Sequence, residues 1–233
     1  MITGEKIESM VEESWKLFKE YFDINAGKYS REYFDKQSKL LSEKKAKKEV
    51  KESHWICWNE SDLMVQFSRY FYHQREIESV SNKEFSNIEM HFDKNVNYSN
   101  FKGYSFESKL KNDDLEKELG KFHKPRKFPK LDLIITYENN FGPFLLCAEA
   151  KYFHASVREG TVDEAIEKDV ITLSAIKRLG ITEKIAYIIF DDYYYIHGKK
   201  DIEKLAYLYS KKHSIENELK ILHHDSKSKL IDA

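Results

Sequence analysis

Apolar residues recur every three or four positions from about residue 5 to 22, as Ile7, Met10, Val11, Trp15, Phe18, Tyr21 and Phe22. That period lines one face of a helix. A second, less regular helix is expected around Tyr29, Tyr33, Phe34, Leu40 and Leu41, running into the lysine-rich SEKKAKKEVKES. A third spans about Asn59 to Ile77, capped by Asn59 or Ser61, with Leu63, Met64, Phe67, Tyr70 and Phe71 as its apolar stripe. FSNIEMHF predicts a strand, with Phe85, Ile88, Met90 and Phe92 in rough alternation, and NDDLEKELG a short helix ended by glycine. LDLIIT and FLLCAEAKYF are nearly unbroken apolar runs, which marks strands buried on both faces. Asn139, Asn140, Gly142 and Pro143 turn the chain between them. Thr161 and Glu164 form a capping box for a helix with Val162, Ala165, Ile166, Val170, Leu173 and Ile176 on one face, closed by Gly180. KIAYIIFDD is another buried strand, so strand, helix and strand imply a parallel crossover. YYYIH reads as an edge strand, residues from about Lys199 to Lys212 as a helix, and Ser214 to Leu222 as a further helix before a frayed end.

Charge changes the picture at one place. Asp132 sits in the LDLIIT strand, and Glu149 and Lys151 sit in FLLCAEAKYF. Buried charge is costly unless it is paired or bound to a metal. Side chains alternate along a strand, so Glu149 and Lys151 share a face. A turn centred near Asn140 and Phe141 puts Asp132 opposite Glu149, with Cβ atoms roughly 5 Å apart. Two carboxylates that close repel, and a divalent cation between them removes the conflict. Hard oxygen ligands suit Mg²⁺ or Mn²⁺.

This arrangement resembles the PD-(D/E)XK nuclease superfamily, whose pattern is an acidic residue on one strand of a hairpin and (D/E)-x-K on the next. Here these are Asp132 and Glu149-Ala150-Lys151, with the family's Pro-Asp pair spread out as Pro129-Lys130-Leu131-Asp132. The resemblance covers roughly residues 55 to 197. Other E-x-K triplets, such as Glu43/Lys45, Glu49/Lys51, Glu107/Lys109 and Glu218/Lys220, lie in polar or helical-looking sequence and read as solvated faces. The resemblance implies an α/β restriction-endonuclease-like core, a mixed central β-sheet flanked by helices in αβββαβ order. It implies that Asp132, Glu149 and the Ala150 carbonyl hold Mg²⁺ or Mn²⁺, and that Lys151 orients the attacking water. Many members carry a glutamate on the first core helix, and Glu60 is similar to that residue. A carboxylate favoured by the helix dipole is the alternative reading of Glu60. The implied activity is phosphodiester hydrolysis by a DNA endonuclease in restriction, phage defence or a mobile element. A catalytically inactive nucleic-acid-binding or scaffolding protein on the same fold, or an RNase, is the other reading.

The stretch GKFHKPRKFPK precedes Asp132 and offers Lys121, Lys124, Arg126, Lys127 and Lys130 with no acidic residue, interleaved with Phe122, His123 and Phe128. Such residues contact phosphates, and aromatic rings stack on splayed bases; a solvated basic loop is the bland alternative. The net charge is −1, so attraction to nucleic acid must come from local patches of this kind. DNA is favoured over RNA, although nothing in the chain reads a 2′-hydroxyl. Cutting both strands of a duplex needs two sites, and by analogy this suggests a homodimer. The 233 residues suffice for one core with additions: a helical extension over 1–52, the nuclease-like domain over 53–213, and a C-terminal helix and tail over 214–233. Cys57 and Cys147 make no zinc spacing and read as reduced thiols, and the His223-His224 pair reads as a polar tail. No apolar run approaches the ~20 residues of a membrane span, and the first residues lack a signal core. A cytoplasmic protein without membrane contact is expected.

Overall fold

The computed structural model describes residues 2–22, 59–96, 112–122, 124, 128–138, 143–153, 159–191 and 201–225. Among these, the order is α1 (Gly4–Phe22), α2 (Glu60–Ser81), a 3₁₀ turn (Lys83–Asn87) and β1 (Ile88–Asn95). There follow α3 (Asn112–Leu119), a 3₁₀ turn (Gly120–Phe122), β2 (Lys130–Tyr137), β3 (Phe144–Phe153) and α4 (Glu159–Arg178). The chain then forms β4 (Thr182–Asp191), α5 (Ile202–Lys212) and β5 (Leu219–Asp225). The strands make one mixed sheet in the order β1-β2-β3-β4-β5. The β1–β2 and β2–β3 pairs are antiparallel, and β3–β4 and β4–β5 are parallel. The fold is therefore α/β, a five-stranded mixed sheet flanked by helices.

The apolar runs predict the layering. Nine of the ten residues of β3 are buried, as a strand covered on both faces requires. On one face Leu133, Ala148, Ile188 and Phe190 pack with Val11 and Phe18 of α1 and Phe67 of α2. On the other, Ile134, Cys147, Tyr187 and Ile189 pack with Leu115 of α3, Ile166 and Leu173 of α4 and Ile202 of α5. Burying each large apolar side chain contributes roughly 1.5–3 kcal/mol. Read from the sequence as an addition to the core, α1 packs into it. Its first residue lies flush on the sheet: the Gly4 amide donates to Glu183 Oε2 at 2.6 Å. A Cβ at Gly4 would stand 2.9 Å from the Leu145 carbonyl oxygen, so no larger residue fits.

The helix ends follow the local chemistry. Asn59 caps α2 by accepting from the Asp62 amide at 2.9 Å. Gly180 (φ +67°) closes α4. The Ile181 amide reaches back to the Ile176 carbonyl and the Gly180 amide to that of Lys177, each at 3.0 Å. This paired closure needs a left-handed residue, which glycine supplies without strain. The start of α4 differs from expectation: the helix begins at Glu159, two residues before Thr161.

The C-terminal region corrects the sequence reading. Among the described residues, the helix expected over Ser214 to Leu222, the helical part of the assigned C-terminal region, is absent. Ser214 takes φ +56°, and residues 219–225 form β5 along the edge of β4. A short apolar run does not fix its own period, and the ladder bonds offered by β4 decide the matter. His224 is not part of a polar tail: it is buried and stacks on Phe190 with ring centroids 4.6 Å apart. The expected helix around Tyr29 to Leu41, the lysine-rich stretch after it, the turn from Asn139 to Gly142, the YYYIH strand and Cys57 lie outside the described residues.

Candidate active site

The β2–β3 ladder carries Ile135↔Leu146, Ile134↔Cys147 and Leu133↔Ala148. One step further along this register, Asp132 faces Glu149, as the turn position predicts. Here the Ala150 amide donates to Asp132 Oδ2 at 2.8 Å, which ties the Asp132 side chain to the neighbouring strand. The backbone is irregular on the far side of β2 as well. Phe92↔Leu133 and Lys94↔Leu131 pair normally, while Asp93 between them takes φ +56°. A left-handed residue inside a strand is uncommon, and aspartate tolerates it better than most. Regular pairing thus lapses around Asp132, where a cleft of about 710 Å³ opens.

Asp132, Glu149 and Lys151 all line that cleft, and so does Glu60 from the first turn of α2. Lys151 Nζ lies 3.1 Å from Glu60 Oε1 and 3.4 Å from Asp169 Oδ2 on α4. The Tyr187 hydroxyl on β4 donates to the same Asp169 oxygen at 3.1 Å. Six side chains from five elements, β2, β3, β4, α2 and α4, therefore meet here: Asp132, Glu149, Lys151, Tyr187, Glu60 and Asp169. The cleft lies towards the C-terminal end of β3, which is parallel to β4. In open α/β sheets, that end is where ligands are usually accommodated.

The electrostatics follow from crowding. Burial, the Asp169 and Asp132 carboxylates, and a hydrogen bond with Asp132 push the Glu149 carboxyl well above the usual range, with Lys151 a partial offset. Crowding therefore favours the protonated form of Glu149. Burial also raises Asp169, to about 6, with Asp132 adding to the shift and Lys151 and the Tyr187 hydroxyl opposing it. Burial works against the charge on Lys151, but Asp169 and Glu60 more than offset it and hold the ammonium above its usual range. Lys151 is a cation in this site.

The basic stretch before β2 divides. Lys124 and Lys130 line the cleft, together with Phe122 and Phe128. Lys130 is also ion-paired with Asp93. Lys121 pairs with Glu167 of α4 at 3.3 Å. Arg126, Lys127 and His123 lie outside the described residues. Asp169 was missed in the sequence, yet its signal was there. It stands three residues after Ile166 and four before Leu173, a carboxylate inside the apolar stripe of α4. Tyr187 reads as an ordinary core aromatic in KIAYIIFDD, and no local signal marks it. Cys147, beside the site in β3, is a free buried thiol pushed up to about 12 by burial, which disfavours the thiolate.

Among the described residues, no group of three or more His, Cys, Asp or Glu side chains forms a ready-made metal ligand set. The donors at hand are the Asp132–Glu149 pair, with the Ala150 carbonyl and Glu60 as the further ligands that the resemblance implies. Mg²⁺ keeps several waters and binds through one or two carboxylates plus substrate oxygens, so the pair fits such an ion. No helix among the described residues is long and apolar enough to cross a membrane. Comparisons of the chain with protein-family models, curated proteins and solved structures give no match.

Proposed function

We propose that the chain is a divalent-metal-dependent phosphodiesterase of the PD-(D/E)XK kind, acting on nucleic acid and on DNA ahead of RNA. The observation that carries this reading is the Asp132–Glu149 carboxylate pair, in conflict inside an open cleft with the Lys151 ammonium beside it. The succession α2, β1, α3, β2, β3, α4, β4 supports it, because with α3 as an insertion between the first two strands it follows the order expected of a restriction-endonuclease-like core. Lys124 and Lys130 on the cleft wall suit phosphate oxygens, and Phe122 and Phe128 suit a splayed base.

In this reading Asp132 and Glu149, both as carboxylates, would hold Mg²⁺ or Mn²⁺. The bound ion supplies Lewis acidity towards the phosphoryl oxygens and an acidified water. Lys151 orients the nucleophilic water by hydrogen bonding and offsets the charge that builds on the phosphate. It does so as a cation, not as a general base, because Asp169 and Glu60 hold it protonated. Lys124 and Lys130 fix the phosphate backbone.

A second reading has its own support: the ion pairs that engage Lys151 and the upward shift of the Glu149 carboxyl also suit an inactive nucleic-acid-binding or scaffolding protein. One experiment separates them. The protein and its Glu149→Gln variant are titrated calorimetrically with Mg²⁺ and Mn²⁺, and incubated with linear, circular, branched and single-stranded DNA and with RNA. Metal uptake and cleavage, both lost in the variant, support the enzyme. Nucleic-acid binding without either supports the scaffold and ends the phosphodiesterase reading.

A further inference from the structure

We infer that Asp169 is a positioning residue of the cleft: anchored by the Tyr187 hydroxyl, its carboxylate fixes the Lys151 ammonium beside Asp132 and Glu149. The inference rests on the phosphodiesterase reading for the task of Lys151, but its geometry stands without it. A lysine head sits on a flexible four-carbon stem, so it can orient a water only if something holds it. Two carboxylates touch it, and they are not equivalent. The Glu60 side chain is 40% exposed and the Asp169 side chain 6%. A solvated carboxylate at a helix start is screened and free to swing away when substrate enters. Asp169 is not. Its Oδ2 receives the Tyr187 hydroxyl at 3.1 Å and faces Lys151 at 3.4 Å.

The anchor is referenced to the same strands as the site. In the parallel β3–β4 ladder, Tyr187 pairs with Glu149 and Ile189 with Lys151. Tyr187 is fully buried, and Ile166, Val170 and Leu173 hold α4 against the sheet around Asp169. An apolar residue at position 169 would continue the stripe at lower desolvation cost. What the carboxylate adds is its hold on the lysine, in a low-dielectric setting where that attraction is strong.

The test uses the whole protein, with Asp169→Asn, which keeps the shape and removes the charge, and Tyr187→Phe, which removes only the hydroxyl. The first readout is the side-chain ammonium signal of Lys151 in a proton–nitrogen correlation spectrum, assigned by its disappearance in Lys151→Arg. An immobilised, ion-paired ammonium gives a sharp signal. It is expected to broaden beyond detection in Asp169→Asn and to weaken in Tyr187→Phe, while melting curves show both variants folded. The second readout is metal-dependent cleavage: kcat is expected to fall about 10- to 100-fold in Asp169→Asn, as for other residues that orient a catalytic group. KM should stay within about twofold, because ground-state binding is untouched. A Lys151 signal that persists in both variants overturns the inference, and so does an unchanged kcat in both. If Asp169→Asn does not fold, Tyr187→Phe decides by the same readouts. If the wild-type protein cleaves nothing with Mg²⁺ or Mn²⁺, the phosphodiesterase reading falls, and the ammonium signal alone decides the role of Asp169.

Discussion

Lys151 is the side chain on which most of the site's charge converges, and its replacement separates chemistry from binding. Lys151→Ala should lower turnover by about 10²- to 10⁴-fold, the usual range for a group that manages a proton or developing charge. Metal affinity measured by calorimetry should change far less, because the ammonium is not a ligand; full Mg²⁺-dependent cleavage in the variant would remove Lys151 from the mechanism. The buried carboxyls make a prediction of their own. Asp169 is raised to about 6, chiefly by burial, so the folded protein binds that proton more tightly than the unfolded chain does. Its contribution to stability is then fully present below the unfolded value near 4 and is lost as pH rises through 6. The slope is at most about 1.4 kcal/mol per pH unit for one proton. Thermal melts in chelator from pH 4 to 7 should show the wild type losing ground steadily against Asp169→Asn. A difference between the two that stays flat with pH would mean that Asp169 titrates normally.

Helices carry two of the converging groups, Glu60 on α2 and Asp169 on α4. The Asn59 cap sets where α2 begins and so where Glu60 enters the cleft. The closure at Gly180 sets where α4 stops and β4 starts. Gly180→Ala should destabilise the protein by about 1–2 kcal/mol through strain at positive φ. Open space surrounds that position, so no steric clash adds to the cost. Chemical denaturation should show a lower midpoint with an unchanged slope. A neutral result would mean that the α4–β4 connection relaxes to another closure. The β2–β3 hairpin makes the opposite point. Its strands pair tightly over three residues and then leave Asp132 to bond with its side chain, so the cleft opens where regular pairing ends.

Taken whole, the chain carries 39 basic and 40 acidic residues, so no overall field draws in a polyanion. Under the proposed function, attraction comes from a local patch, and the lysines of the cleft wall are the candidates. Replacing both Lys124 and Lys130 with Gln should weaken nucleic-acid binding at every sequence tested. It should also flatten the dependence of log K on log salt by about 0.7–0.9 per lost phosphate contact. Binding by filter retention or anisotropy across a salt series reads this directly. An unchanged slope would place the phosphate contacts elsewhere on the surface. The two apolar cores on opposite faces of the sheet explain why such surface changes should spare the fold.

Much of this was legible along the chain, because neighbours a few residues apart fix it. Period, caps and turn residues give α1, α2, α4, β2, β3 and β4, and strand alternation with a centred turn puts Asp132 across from Glu149. The rest depends on which surfaces meet. β5 became a strand because β4 had an edge to pair with, although its own residues suit a helix as well. His224 left the solvent because Phe190 offered a ring to stack on. Asp169 and Tyr187 lie 18 residues apart along the chain. The clamp on Lys151 exists only once α4 is laid across β3 and β4. Contacts between elements are set by packing, and no local pattern encodes them.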